Sequence, residues 1–256
     1  MSDWNPSLYM QFKSERTQPS IDLVSKINCP VPNKIIDIGC GPGNSTQVLA
    51  NRWPDAHIVG LDNSASMIEK AQVDYPTQDW VIANAAEYQS ETKYDLVFSN
   101  AVIQWIPDHE KLLIVLSDLL SDQGVLAIQM PQFWDMPLGS IIRSVATSDR
   151  WHPIMKTVSD IFVMHSYGFY YDHLTTLFQS VEMWQTDFMH ILNDHESIME
   201  MMRGTGLRPY HEKLRTDAEK TEFEADILKE LVQAYPAQND GKVILPFKRL
   251  FFIAYK

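Results

Sequence analysis

Cysteine is scarce. The 256 residues hold two, Cys29 and Cys40, too few for a disulfide framework, and a reducing, cytoplasmic setting fits that usage. Long apolar runs are missing as well. The stretch from Leu112 to Leu120 is broken by Asp118 and falls well short of the roughly 20 residues that span a bilayer. The opening MSDWNPSLYMQFKSER places charges and a proline where an export signal needs an uninterrupted apolar core. Neither membrane insertion nor secretion is expected from such signals. There is also no basic block. Lys and Arg number 21 against 33 Asp and Glu, a formal net charge of −12, so the molecule's field repels nucleic acid and anionic membranes. A small anion has to be met by local arginines. The histidines His152, His165, His173, His190 and His195 offer no compact pair with a third ligand at metal-binding spacing, so no metal is expected. Nothing in the pattern speaks to oligomeric state.

What is present supports one α/β core with an insertion, since 45% hydrophobic content at this length is enough for a sizeable interior. Leu8, Phe12, Ile21, Val24 and Ile27 recur at roughly helical spacing, and Pro19 divides them into a two-piece helical lead-in over 1–30. From 31 to 131 the pattern alternates. Strands are expected at Lys34–Ile38, His57–Leu61, Trp80–Ala83, Tyr94–Ser99 and Gly124–Met130, with helices between them. Asn44, with Gln47 three residues on, reads as the cap of the first of these helices. Such alternation predicts a parallel, doubly wound, Rossmann-like sheet covered on both faces. Residues 132–180 read as a helical cap insertion. Residues 181–256 supply two more strands, near Val181–Ile191 and Leu245–Ala254, separated by helices.

Asp37, Ile38, Gly39, Cys40, Gly41, Pro42 and Gly43 follow the first strand. In an open parallel sheet this loop lies where ligands bind, outside the carboxyl ends of the strands. Glycine lets the backbone come close to a ligand and adopt dihedrals costly to other residues. A dinucleotide fingerprint wants its third glycine three residues after the second, where a helix receives pyrophosphate. Here Gly43 follows Gly41 by two and Asn44 holds the other position. Asp37 would repel a pyrophosphate but can receive an α-ammonium group, which favours S-adenosylmethionine. Asp62, ending the second strand, can accept hydrogen bonds from ribose hydroxyls.

On these residues the chain resembles the class I methyltransferases. DIGCGPGNS matches their donor loop, Asp62 their ribose acid, Asn84-Ala85 their adenine-contact position, and Asn100 the pocket lining after the fourth strand. The family more often has Asp where Asn84 stands. Asn63 and Met67 are expected in the same donor-side set. The resemblance implies a seven-stranded sheet whose last strand runs antiparallel. WNPSLYMQF, GCGPGNST, SNAVIQWIPDH, LAIQMPQFW, TGLRPY and RLFFIA look, more narrowly, like the bacterial methyltransferases that esterify trans-aconitate, a planar tricarboxylate. That narrower resemblance weakens between Pro137 and Leu177.

The implied chemistry suits the residue types. A carboxylate is already ionised at neutral pH, so its attack on a donor methyl needs no general base and no catalytic side chain is assigned. The remaining carboxylates need planar, bidentate partners, for which arginine is suited. Expected substrate contacts are Tyr9, Arg16, Trp105, Arg143, Tyr171 and Arg208. Each arginine also has an ordinary reading as a surface or ion-pair residue, and Arg208 as a helix-end residue. Competing functions are methyl esterification of a malonyl group on acyl carrier protein, nicotinamide-dependent oxidoreduction, and donor binding without catalysis. The glycine spacing disfavours the second of these.

Overall fold

The structure is a computed structural model that describes residues 13–158 and 162–256. Helix α1, Lys13–Lys26, runs without a break through Pro19, so the expected division of the lead-in at that residue is corrected. Proline removes one intrahelical hydrogen bond. The Gln18 Nε2 to Asp22 Oδ1 bond of 2.7 Å and the burial of Leu23, Val24 and nearby Ile27 against the core outweigh that loss. The chain continues as β1 (Lys34–Ile38), α2 (Asn44–Arg52), β2 (His57–Asp62), α3 (Ala65–Asp74), β3 (Asp79–Ile82), β4 (Tyr94–Asn100), a 3₁₀ turn (Ile103–Trp105), α4 (His109–Asp118) and β5 (Leu120–Pro131). After a second 3₁₀ turn (Phe133–Asp135) come α5 (Pro137–Ala146), α6 (His152–Met155), α7 (Tyr167–Leu177) and β6 (Ser180–Leu192). The last elements are α8 (His195–Arg203), α9 (Arg208–His211), α10 (Asp217–Ala234) and β7 (Val243–Tyr255).

The seven strands form one sheet in the order β3-β2-β1-β4-β5-β7-β6. The five strands from β1 to β5 pair in parallel, with Ile38 level with both Leu61 and Ser99. Strand β7 runs against β5. Lys256 N–H donates to the Gly124 carbonyl and Gln132 N–H to the Lys248 carbonyl, so residue numbers rise along one strand as they fall along the other. This is the seven-stranded, doubly wound α/β sheet that the alternation and the resemblance predicted. Ile35, Ile36 and Ile38 of β1 and Leu96, Val97 and Phe98 of β4 are fully buried, as central strands covered on both faces require. Each such side chain contributes roughly 1.5–3 kcal/mol through burial.

The chain forms two compact units. One comprises 1–130, 165–185 and 250–256, and the other 131–164 and 186–249. In the second, Leu138 N–H donates to Tyr235 Oη at 2.9 Å and the apolar face of α10, Phe223, Ile227 and Leu231, is buried. Thr216 and Glu219 form a capping box at the start of that helix. None of the described helices is long and apolar enough to cross a membrane.

Candidate active site

Strand β1 ends at Ile38 and the backbone turns at once. Gly39 and Gly41 have φ of 69° and 54°, a region that costs residues with a Cβ roughly 1–2 kcal/mol. A Cβ on Gly39 would also lie 2.2 Å from Val102 Cγ2, whereas one on Gly41 would meet none of the described residues within 4 Å. Among the described residues, nothing covers the backbone at Gly41. Asp62 organises this loop from the end of β2: its Oδ2 accepts from Gly41 N–H and its Oδ1 from Ser64 N–H, both at 2.9 Å. The helix α2 is capped by Gly43, at φ 92°, without a side-chain bond. Asn44 is thus its first helical residue, and the cap expected at Asn44 moves back by one, because left-handed Gly43 already redirects the chain.

Asp37 is fully buried. Its Oδ2 accepts from Ser45 Oγ at 2.6 Å and Thr46 Oγ1 at 2.7 Å, while its Oδ1 is buried with no hydrogen-bond partner. Burial pushes the carboxyl up to about 6; the two hydroxyls oppose the shift and the neighbouring charge of Asp62 adds to it. A half-satisfied buried carboxylate is suited to a cation with N–H donors. Cys40 is buried beside it, and burial and the two aspartates raise its thiol well above the usual range. It is a packing residue rather than a nucleophile.

The rest of the expected donor set lies at the carboxyl ends of the neighbouring strands. Asn63 is exposed, Met67 is buried on α3, and Ser64 caps that helix by accepting from Met67 N–H. Past β3, Asn84 is exposed with its Oδ1 accepting from Ala86 N–H, and Ala85 is buried. At the end of β4, Asn100 Oδ1 is buried without a partner. The level registers of β1, β2 and β4 bring these positions to one end of the sheet.

The expected acceptor residues are divided. Tyr9 lies outside the described residues, and Arg16 falls in α1 with its side chain outside them. Trp105 ends the 3₁₀ turn, half-buried, and Tyr171 on α7 is exposed; both belong to the first unit. In the second unit, Arg143 stacks over the Trp134 ring at 4.0 Å, and the ring is held by a 2.9 Å bond from Trp134 Nε1 to the Phe162 carbonyl. Arg143 also lines a cavity of about 210 Å³ with Thr147, His152, Lys156 and Tyr210. Arg208 opens α9 and faces Glu212 at 3.4 Å. Sequence reasoning missed Ser45, Thr46, Val102 and Lys156. The first two follow Asn44 directly, where hydroxyls facing a strand-end aspartate are a readable signal. The other two depend on distant contacts.

Comparison with known proteins agrees with this geometry. A methyltransferase domain model matches residues 11–212, and the chain belongs to that family. Two of its relatives are named trans-aconitate 2-methyltransferase. The one from Rhodopseudomonas palustris (strain BisB5) is 40% identical over 257 residues, covering 100% of both chains. The one from Enterobacter sp. (strain 638) is 40% identical, covering 99% of this chain and 98% of its own. Among solved structures, the YcgJ protein from Bacillus subtilis shares the fold at a TM-score of 0.64 and 11% identity, covering 93% of this chain and 98% of that one. The resemblance read from GCGPGNST and SNAVIQWIPDH is borne out from end to end. Among the described residues, no group of three or more His, Cys, Asp or Glu is placed to hold a metal ion.

Proposed function

We propose that the chain transfers the methyl group of S-adenosylmethionine to a carboxylate oxygen of trans-aconitate or a closely related small polycarboxylate, in a cytoplasmic setting. The observation that carries the donor assignment is Asp37, a buried acid with one unpartnered oxygen beside a glycine loop open at Gly41. The acceptor assignment is supported by the full-length relatives. When bound, S-adenosylmethionine supplies an electrophilic methyl group.

Asp37 receives the α-ammonium. Gly39, Cys40, Gly41 and Gly43 form the wall along the donor's amino-acid portion, Asp62 takes the ribose hydroxyls, and Asn63 and Met67 line the same side. Asn84 and Ala85 meet the adenine, and Asn100 borders the reacting end. The acceptor carboxylate is ionised at neutral pH, so the protein's task is to align it and hold the others, not to remove a proton. Among the acceptor residues proposed, Tyr9, Arg16, Trp105, Arg143, Tyr171 and Arg208, the case is strongest for Arg143. Its stacked guanidinium is preorganised, and among the described residues the cavity it lines carries His152 and Lys156 and no acidic side chain.

The test is transfer from labelled S-adenosylmethionine to trans-aconitate, cis-aconitate, citrate, isopropylmalate and malonyl-acyl carrier protein. The expected result is a clear preference for trans-aconitate. Preference for the carrier-bound malonyl group would replace the acceptor, and tight donor binding with no transfer would leave a binding protein.

A further inference from the structure

A buried pair in the first unit has no part in the chemistry described so far. His109, the first residue of α4, is 1% exposed and Tyr170 of α7 is fully buried. The imidazole Nε2 lies 2.8 Å from the Ile103 carbonyl and Nδ1 lies 2.7 Å from Tyr170 Oη. A carbonyl only accepts, so Nε2 carries the proton. Nδ1 is then a bare lone pair that accepts from the Tyr170 hydroxyl. Both ring nitrogens are satisfied by the neutral ring, and the partners determine the tautomer. Among the described residues, the titratable groups nearest the ring besides Tyr170 lie on its own and the facing segment. His165 stands edge-on with centroids 5.1 Å apart, Asp108 precedes His109 in the chain, and Glu110 follows it, directed to His173. Burial lowers the pKa of His109, partly offset by its carbonyl partners and Asp108. Tyr170 is stacked on Phe252 with centroids 5.5 Å apart, and burial raises its pKa, so it stays a donor.

The pair grips the connection between β4 and α4. Ala101 has φ 58°, the left-handed region, in a residue with a Cβ, at a cost of roughly 1–3 kcal/mol. Its carbonyl accepts from Gln104 Nε2 at 2.7 Å, and Gln104 Oε1 is buried without a partner. Val102 places its methyl carbons where a Cβ on Gly39 would stand. A strained turn relaxes unless its surroundings over-determine it, and Ile103, at its centre, is where His109 attaches.

We infer that His109 is a positioning residue for methyl transfer: as the neutral Nε2–H tautomer set by Tyr170, it holds Ala101–Trp105 so that Val102 closes on Gly39 and Asn100 and Gln104 stay fixed at the end of β4. The inference rests on the reading of the glycine loop as the donor site.

The experiment compares the full-length wild type with His109→Ala, His109→Gln and Tyr170→Phe. Folded fraction, kcat, both KM values and donor affinity by calorimetry are measured, together with the imidazole ¹⁵N spectrum. An ångström-scale loosening of the turn lowers kcat of folded His109→Ala about 100-fold. His109→Gln recovers most of this, because its amide nitrogen reaches the Ile103 carbonyl and its amide oxygen accepts from Tyr170. The wild-type spectrum shows neutral His109 protonated at Nε2 at pH 6.5, where a free histidine is about half charged, and Tyr170→Phe erodes that tautomer preference. Folded His109→Ala with kcat and donor affinity within about twofold of wild type overturns the role, as does a charged or Nδ1–H ring. If His109→Ala does not fold, loss in His109→Gln equal to that of a dead enzyme overturns it instead. Should the wild type bind no S-adenosylmethionine while its spectrum is as stated, the donor reading has failed and the role falls with it.

Discussion

Replacing Asp37 by Asn removes one charge and almost no volume, and two consequences of opposite sign follow. The folded-state pKa of Asp37 is about 6, against 3.8 for the unperturbed group. That gap corresponds to about 3 kcal/mol of penalty on the ionised form in the folded chain. The folded state holds the proton more tightly than the unfolded one. Stability from this group is therefore present at acid pH and is lost as pH rises through the window from about 4 to about 6. Asn stays neutral throughout: its Oδ1 accepts from Ser45 and Thr46 as Oδ2 does now, and its Nδ2 takes the place of the unpartnered oxygen. Leaving that amide unpaired costs part of the gain. Asp37→Asn is then more stable than wild type by about 1–3 kcal/mol at pH 8, and the difference shrinks as pH falls from 6 to 4. Urea unfolding of the ligand-free proteins across that range reads it directly. Donor binding moves the other way. A hydrogen bond to a charged partner is worth about 1.5–3 kcal/mol, so S-adenosylhomocysteine affinity by calorimetry falls roughly 10- to 100-fold. A stability difference that ignores pH, or a variant less stable at pH 8, refutes the account of the buried charge. Unchanged affinity refutes the ammonium role.

Asp62→Ala takes the proposed ribose acceptor away and also leaves Gly41 and Ser64 N–H without the carboxylate they now share. Donor affinity falls at least about tenfold, and calorimetry showing wild-type affinity sinks the assignment. Arg143→Ala raises the acceptor KM about tenfold or more while the donor KM holds, since the proposed charge-assisted contact is lost on one side only; equal changes in both would make Arg143 a packing residue of Trp134. Gly39→Ala meets both a left-handed φ and Val102, whereas Gly41→Ala meets only the φ. Urea unfolding should find Gly41→Ala destabilised by about 1–2 kcal/mol and Gly39→Ala by more, and the reverse order would contradict the loop geometry.

The sheet was legible because its central strands are short apolar runs stopped by turn residues, as Lys34–Ile38 is by Gly39. The proposed donor residues could be named for a related reason: each sits within a few positions of a strand end, where local pattern places it. Pro19 misled because tertiary burial of Leu23 and Val24 overrides a local breaker. Ala101 left no trace, since alanine carries no preference for positive φ and its conformation is imposed by Gln104, Gln129 and the turn that follows. The cavity beside Arg143 joins Thr147, one helical turn on, to Lys156 and to Tyr210, and the last of these lies far beyond any helical or strand period. The contact of His109 with Tyr170 spans 61 residues, beyond the reach of any local motif.

Two aspartates on adjacent strands locate the site without any motif. Asp95 lies near the amino end of β4, where its Oδ2 accepts from Asn33 and Lys34 N–H at 2.8 and 3.1 Å and its Oδ1 from Ser121 Oγ at 3.2 Å. Both of its oxygens are used, and the group ties loops together. Asp37 lies near the carboxyl end of β1, deeper than Asp95, with one oxygen unused. At that same end stand the left-handed Ala101 and the unpartnered oxygens of Asn100 and Gln104. A fold under pressure for stability alone would relieve such features by Asn at 37 or Gly at 101. Their concentration at the carboxyl ends of two neighbouring parallel strands marks the place where binding a ligand offsets the deficit. The ligand has to bring hydrogen-bond donors, since what is missing at Asp37, Asn100 and Gln104 is in each case a partner for an oxygen. An α-ammonium group meets that demand and a pyrophosphate does not.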